Sequence, residues 1–367
     1  MLEQGKISNR QLTILIVQFI IGSKILFVPA SLAADSEQDV WISGLIAIVV
    51  GVLVAWFYAH LALQFKNQGI LQYSEAVLGK WLGKLVTIVL CLYFLIIAAF
   101  LVRDIADFMT IQIIPGTPIL AIMIVFMIVT IIGVRLGLEV LSRAAEIFNP
   151  WVILLLLLLL VSVSTQIEWK NILPVFDHQM KHIMKSSLTF ITFPYLEMII
   201  FLQILPYVNK PSLVKRSMIV GTILGGGMLV VVTLFCVLIL GVDSTTRHIY
   251  PTYALAKKIT IGEFISRIEV IVAGVWFLTI FIKLSLCLYF IAASIMQLFA
   301  LKNYKPLTLP IGIILICLAI LLVPNMTYLI TFDATTWIPI AIIVGFILPL
   351  IIYIVHKLKL ATSGKKT

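Results

Sequence analysis

The 367-residue chain is 62% hydrophobic and 11% charged, with a formal net charge of +10. Soluble domains carry roughly 25% charged residues, and a water-soluble fold could not hide this much apolar surface, so the composition excludes a soluble enzyme and points to the bilayer as solvent. The basic excess lies in short segments between hydrophobic runs, and no soluble domain exists on which it could form a nucleic-acid-binding face.

A membrane-spanning helix needs roughly 20 mostly apolar residues. Ten runs meet that length, at 11–34, 40–63, 84–110, 117–135, 143–164, 186–207, 217–241, 267–299, 306–324 and 331–356. The chain is therefore expected to be an all-α integral membrane protein, with residues 1–367 forming a single transmembrane domain. The first run starts after Lys6 and Arg10 and reaches Leu32-Ala33-Ala34, which resembles a leader cleavage site. Gly22-Ser23-Lys24 interrupts its centre, however, where a leader requires an unbroken apolar core. An acidic loop, Asp35-Ser36-Glu37-Gln38-Asp39, precedes the second helix. The segment 65–83 then predicts a short amphipathic helix at the inner interface, with Trp81 as its anchor.

Near the outer end of the third helix stand Arg103, Asp104 and Asp107; Arg103 and Asp107 are spaced i,i+4 and can pair on one face as an interfacial salt bridge. Arg143 and Glu146 open the fifth helix, where an acid suits the positive helix N-terminus. In the next outer loop, Asp177, His178 and His182 have a metal-compatible spacing but no third ligand fixed by sequence, so a solvated face is the better reading. The sixth helix carries Thr192-Phe193-Pro194-Tyr195 followed by Glu197. Gly221, Gly225, Gly226 and Gly227 in the seventh predict close helix packing. The outer loop 243–266 contains a stretch, Tyr250 to Lys258, that reads as a helix covering an outer vestibule. Lys283, deep in the long eighth helix, must face the bundle interior or water, and Glu269 lies near that helix's outer end. Cys91, Cys236, Cys287 and Cys317 all lie in apolar runs and read as packing residues. No phosphate-binding loop, HExxH or GxSxG motif is present, so no cofactor and no enzymatic activity are expected.

With the N-terminus inside, 16 of the 26 Lys and Arg residues fall in inner segments and 7 in outer loops, which places both termini in the cytoplasm. Two helices are broken near mid-depth. Gly22 is conformationally permissive, and Pro194 lacks a backbone donor and clashes with the preceding turn. At ~1.5 Å per residue, Lys24 lies ~20 Å from the inner end of the first helix and Glu197 ~17 Å from the outer end of the sixth. These helices open the two five-helix halves of the chain, and matching breaks in two halves point to a transporter-type binding site at the midplane. The candidate binding residues are Gly22, Ser23, Lys24, Thr192, Phe193, Pro194, Tyr195 and Glu197. Lys24, Glu197, Arg103, Asp107 and Lys283 are the candidates for coupling or gating. Lys24 and Glu197 are expected to pair, either as part of the solute site or as a fixed bridge between the broken helices.

Several segments, in this order and spacing, carry a family resemblance. They are Gly22-Ser23-Lys24-Ile25-Leu26-Phe27-Val28-Pro29, Tyr73-Ser74-Glu75-Ala76-Val77-Leu78-Gly79-Lys80-Trp81, Ser142-Arg143-Ala144-Ala145-Glu146, Pro194-Tyr195-Leu196-Glu197-Met198, Tyr250-Pro251-Thr252-Tyr253 and Ile261-Gly262-Glu263-Phe264. Over nearly its whole length the chain resembles the B subunits of bacterial spore germinant receptors, within the amino acid–polyamine–organocation transporter superfamily. The resemblance implies a LeuT-like fold of two inverted five-helix repeats and a germinant site between helices 1, 3, 6 and 8. It also implies location in the spore inner membrane, or otherwise the bacterial cell membrane, and partners in a receptor A subunit and a lipoprotein C subunit. The germinant of such receptors is usually an amino acid, or a sugar or nucleoside acting with one. The chain departs from the superfamily pattern at Lys24, where a small residue is usual, and at Tyr195-Leu196, where Gly often precedes the acid. A proton- or cation-coupled amino-acid permease and a channel or scaffold subunit are the alternative functions.

Overall fold

The computed structural model describes residues 5–65, 68–176, 179–258 and 269–362. Its first crossing, α1, consists of two half-helices, Asn9–Lys24 and Val28–Ser36. The others are α2 (Val40–Gln64), α3 (Lys80–Ile113), α4 (Ile119–Leu136), α5 (Leu138–Gln166), α6 (Met180–Tyr207), α7 (Pro211–Leu240), α8 (Glu269–Leu298), α9 (Lys305–Leu322) and α10 (Met326–Thr362). Among the described residues nine helices are long and apolar enough to cross a membrane, the second half of α1 running into α2 as one of them. The first half of α1 adds the further piece that makes ten crossings.

The start of α1 is fixed twice. Ser8 and Gln11 form a reciprocal capping box, Ser8 Oγ accepting from the Gln11 amide at 3.1 Å and Gln11 Oε1 from the Ser8 amide at 2.9 Å. Ile7 N–H donates to Tyr207 O, and Asn209 N–H to Ile7 O, each at 2.9 Å, which ties the chain start to the end of α6. Three of the four seventh-helix glycines, Gly221, Gly225 and Gly226, pack as expected, and Gly227 faces open space: a methyl at Gly221 would lie 2.8 Å from Ile16 Cβ, and one at Gly225 would lie 3.0 Å from Ile20 Cβ. These last two positions, one turn apart, let α7 lie directly on α1.

Burial sorts the helices into centre and rim. The most apolar stretch of α6 is 89% buried, those of α3 and α8 67%, and those of α5 and α10 only 22% and 28%. The rim helices present rows of Leu, Ile and Val outward, as lipid-facing surfaces do. The short helix Ile70–Leu78 buries Ile70, Leu71, Tyr73 and Val77, and Trp81 beyond it is 87% exposed.

Two expectations are corrected. α5 starts at Leu138, after Gly137 at φ 98°, rather than at 143, so Glu139 and not Glu146 occupies its first turn. Glu146 instead sits more than two turns in, where it meets Arg10 at 3.4 Å and accepts from Gln11 Nε2 at 3.1 Å. The helix Pro251–Lys257 does not cover the vestibule described below. It packs inward through Tyr253 and the preceding Tyr250 onto Phe108, and the vestibule wall comes from Thr246 to Ile249 just before it. The Asp177, His178 and Ile261 to Phe264 readings lie outside the described residues.

Candidate functional site

The break in α1 is a short interruption over residues 25–27, after which Pro29 sits in the first turn of the second half. It frees the Ile25 carbonyl, which accepts from Thr252 Oγ1 at 2.7 Å, so the segment between α7 and α8 satisfies a group that the break would strand. Gly22 is required by proximity: a methyl there would lie 2.6 Å from the Thr279 carbonyl oxygen on α8. α6 stays helical but changes its winding, with a wide π-type stretch over Ile191–Tyr195 that accommodates Pro194 and a tight stretch over Leu196–Ile200. Such changes free backbone groups and re-aim side chains where an α-helix would not.

The expected Lys24–Glu197 pair does not form. Lys283 Nζ from α8 donates to Glu197 Oε2 and, at 2.6 Å, to Ser23 Oγ, and it lies 4.8 Å from the centre of the Phe19 ring. Ser23 Oγ in turn donates to Phe19 O at 2.8 Å. Lys24 reaches instead to α10, where Asp333 Oδ2 accepts from it at 2.5 Å, and its ammonium lies 4.7 Å from the Phe193 ring centre and 5.1 Å from that of Phe27. The cause is steric and electrostatic at once. The Gly22 contact brings α8 so close that its ammonium takes Glu197, and Lys24, turned to the other side of the break, finds its own acid.

Two cavities meet at these residues. A cleft of about 20 Å³, room for about one water molecule, is lined by Ser23, Lys24, Asp104, Glu197, Lys283 and Asp333, with Phe100, Phe193 and Trp337 among its apolar walls. At the end of the bundle remote from the amino terminus, a vestibule of about 390 Å³ runs between the second half of α1, the start of α6 and α10. Lys24, Phe193 and Asp333 line both, so they form the partition between vestibule and cleft.

The remaining candidates scatter around this centre. Thr192 Oγ1 donates to Thr189 O at 2.9 Å. Tyr195 packs its ring on Gly51 of α2, and Gly22 faces α8. Arg103 and Asp107 pair at 2.8 Å and do not line the cleft; their side chains are 14% and 9% exposed, more sheltered than an interfacial bridge. Sequence reasoning did not single out Asp333 and Trp337, and it set Asp104 beside the Arg103 pair without a role. A lone acid in a predicted span was the available signal for Asp333.

The comparisons agree with this architecture. The family model for spore germination proteins matches residues 6–327. Spore germination protein KB of Bacillus subtilis (strain 168) is 30% identical over 327 residues, covering 88% of this chain and 87% of that protein. Spore germination protein GerLB of Bacillus cereus is 25% identical over 371 residues, covering 99% and 97%. Among solved structures, MhsT in complex with L-phenylalanine superposes with a TM-score of 0.68 over 96% of this chain and 99% of that one, at 15% identity. Mhp1, a nucleobase-cation-symport-1 family transporter, also gives 0.68, covering 93% and 78% at 10% identity. At these identities the likeness establishes the fold, a LeuT-like arrangement of two five-helix repeats, here with a break in α1 and a change of winding in α6. The chain is an integral membrane protein of the spore germination permease family, not an enzyme.

Proposed function

We propose that this chain is the germinant-binding membrane subunit of a spore germinant receptor, with a free amino acid as the germinant and both termini on the cytoplasmic side of the spore inner membrane. The observation that carries the reading is the partition: Lys24, Phe193 and Asp333 lie between a wide vestibule of about 390 Å³ and a small cleft of about 20 Å³ beside the α1 break. A solute moving from the vestibule towards Glu197 and Lys283 has to part the Lys24–Asp333 pair, and a zwitterion offers each member a substitute partner. Occupation then shifts the bundle between a closed and an open arrangement by its differential affinity for the two, and the receptor's A and C subunits read that shift. The likeness to MhsT, solved in complex with L-phenylalanine, supports the solute class.

The test uses spores carrying Lys24→Ala or Glu197→Gln, with the abundance of the subunit followed by immunoblot. The standard amino acids are supplied singly, and germination is read as loss of optical density. Lys24→Ala is expected to raise the effective concentration by about tenfold or more, the loss of one charge-assisted contact, at unchanged abundance. An unchanged response in both variants overturns the assignment. The full-length superposition on transporters favours one further reading, a coupled amino-acid permease. Uptake of labelled amino acid by the purified chain in liposomes would establish it.

A further inference from the structure

Five ionisable side chains meet in the cleft, three carboxylates (Asp104, Glu197 and Asp333) and two ammoniums (Lys24 and Lys283). Lys283 is committed to Glu197 and Lys24 to Asp333, which leaves Asp104 in surplus. Asp104 is 1% exposed, and its Oδ1 is buried with no hydrogen-bond partner among the described residues. The same holds for Asp333 Oδ1 and for the indole N–H of Trp337, which also line the cleft. Arg103 pairs with Asp107, through Nε at 2.8 Å, and not with Asp104. Buried carboxylate oxygens without partners are costly and are rarely left so. Here they belong to two residues that line the cleft between the helix windings.

The complement of this site is a single positive charge with hydrogen-bond donors. Among the described residues no group of three His, Cys, Asp or Glu is placed to hold a metal ion. The rings of Phe100, Phe193 and Trp337 form much of the remaining wall, and aromatic faces attract organic cations. We propose that Asp104 receives the ammonium group of the ligand, with Asp333 Oδ1 as a further acceptor, and that this makes the site selective for small primary amines, amino acids included, over anions and neutral sugars. On an amino acid, the carboxylate has the Trp337 indole N–H as its open donor. The assignment rests on the solute-binding reading above and names the residue that sets its selectivity.

The experiment measures thermal unfolding of the purified full-length protein in lipid nanodiscs with methylammonium chloride, glycine, L-valine, sodium acetate, sodium chloride or D-glucose. The amines are expected to stabilise the protein, and acetate, sodium and glucose to leave it unchanged. Asp104→Asn, close in shape, is expected to weaken amine binding about 10- to 100-fold, the loss of a charge-assisted contact, with ligand-free melting and gel-filtration profile retained. Asp104→Glu, which keeps the charge, is expected to bind amines more tightly than Asp104→Asn. Stabilisation by acetate or glucose without the amines leaves the solute site standing and overturns the ammonium assignment. Stabilisation by sodium that is lost in Asp104→Asn overturns it in favour of an inorganic cation. Equal loss in folded Asn and Glu variants overturns the role of the carboxylate. A wild-type protein that answers no probe overturns the solute-binding reading itself.

Discussion

Lys283–Glu197 and Lys24–Asp333 are both ammonium–carboxylate pairs in one bundle, but their surroundings differ. The first joins α8 to α6 beside Ser23 of α1, with side chains 2% and 3% exposed. The second joins the α1 break to α10, with side chains 10% and 16% exposed and a vestibule on one side. α6 and α8 are central helices; α10 is a rim helix with most of its apolar stretch outward. Its winding widens twice, over Asp333–Trp337 and Ile342–Ile347, the kind of local change that lets a helix bend. A pair between buried, mutually packed helices holds them in one arrangement. A pair between the core and a rim helix has somewhere to go when it breaks. We read the inner pair as the fixed centre and the outer pair as the part that moves.

The largest effect is expected from breaking the inner pair. Glu197→Gln strands the Lys283 ammonium, and Lys283→Met strands the Glu197 carboxylate; removing one member of a buried pair costs about 3–5 kcal/mol. The double variant Glu197→Gln/Lys283→Met strands neither and is expected to recover most of that loss. Denaturant unfolding of the three variants in detergent measures it. Single-variant losses below about 1 kcal/mol, the value of an exposed pair, would remove the distinction between the two pairs.

The outer pair is expected to matter less for stability and more for access. Lys24→Met should cost about 1–2 kcal/mol, less than a sealed pair because water already reaches the site. Its signature is exposure of the cleft, read by maleimide labelling of Ile97→Cys, a cleft-lining position, in a background with Cys317→Ser. If closure loses about 1.4 kcal/mol, labelling rises about tenfold. A rise with Glu197→Gln but none with Lys24→Met would reverse the roles assigned to the pairs.

This contrast was only half legible in the sequence. The ten runs and the two breaks follow from hydropathy, from Gly22 and from Pro194, because a bilayer leaves few ways to place a charge or a proline. Lys24, Glu197 and Lys283 stood out for the same reason. Their partners did not, because pairing depends on which helix faces come together, and that is set by contacts such as Gly22 on Thr279 that no local spacing encodes. Asp333 was hidden by its position near the start of a run read as 331–356, where an acid looks like a headgroup contact. In the structure α10 begins at Met326, capped by Asn325 Oδ1 accepting from the Tyr328 amide at 2.8 Å, and this carries Asp333 into the bundle. Asp104 was hidden by its neighbour. The i,i+4 rule that pairs Arg103 with Asp107 says nothing of the residue about 100° further round the helix, and that residue is the one that faces the cleft.

The smallest effect tests whether the α1 break belongs with the fixed pair or the moving one. Thr252→Val keeps the shape of the side chain but removes the hydroxyl that donates to the Ile25 carbonyl at 2.7 Å. Thr252 and Ile25 are both buried, so the carbonyl loses its partner without gaining water, at a cost of about 1 kcal/mol. Ile25 directly follows Lys24, so this contact sits where the two pairs diverge. If the break is a rigid pivot, Thr252→Val lowers stability by that amount and leaves labelling at Ile97→Cys unchanged. If labelling rises as far as it does with Lys24→Met, the second half of α1 travels with the gate, and the moving part of the protein begins at the break itself and not at α10.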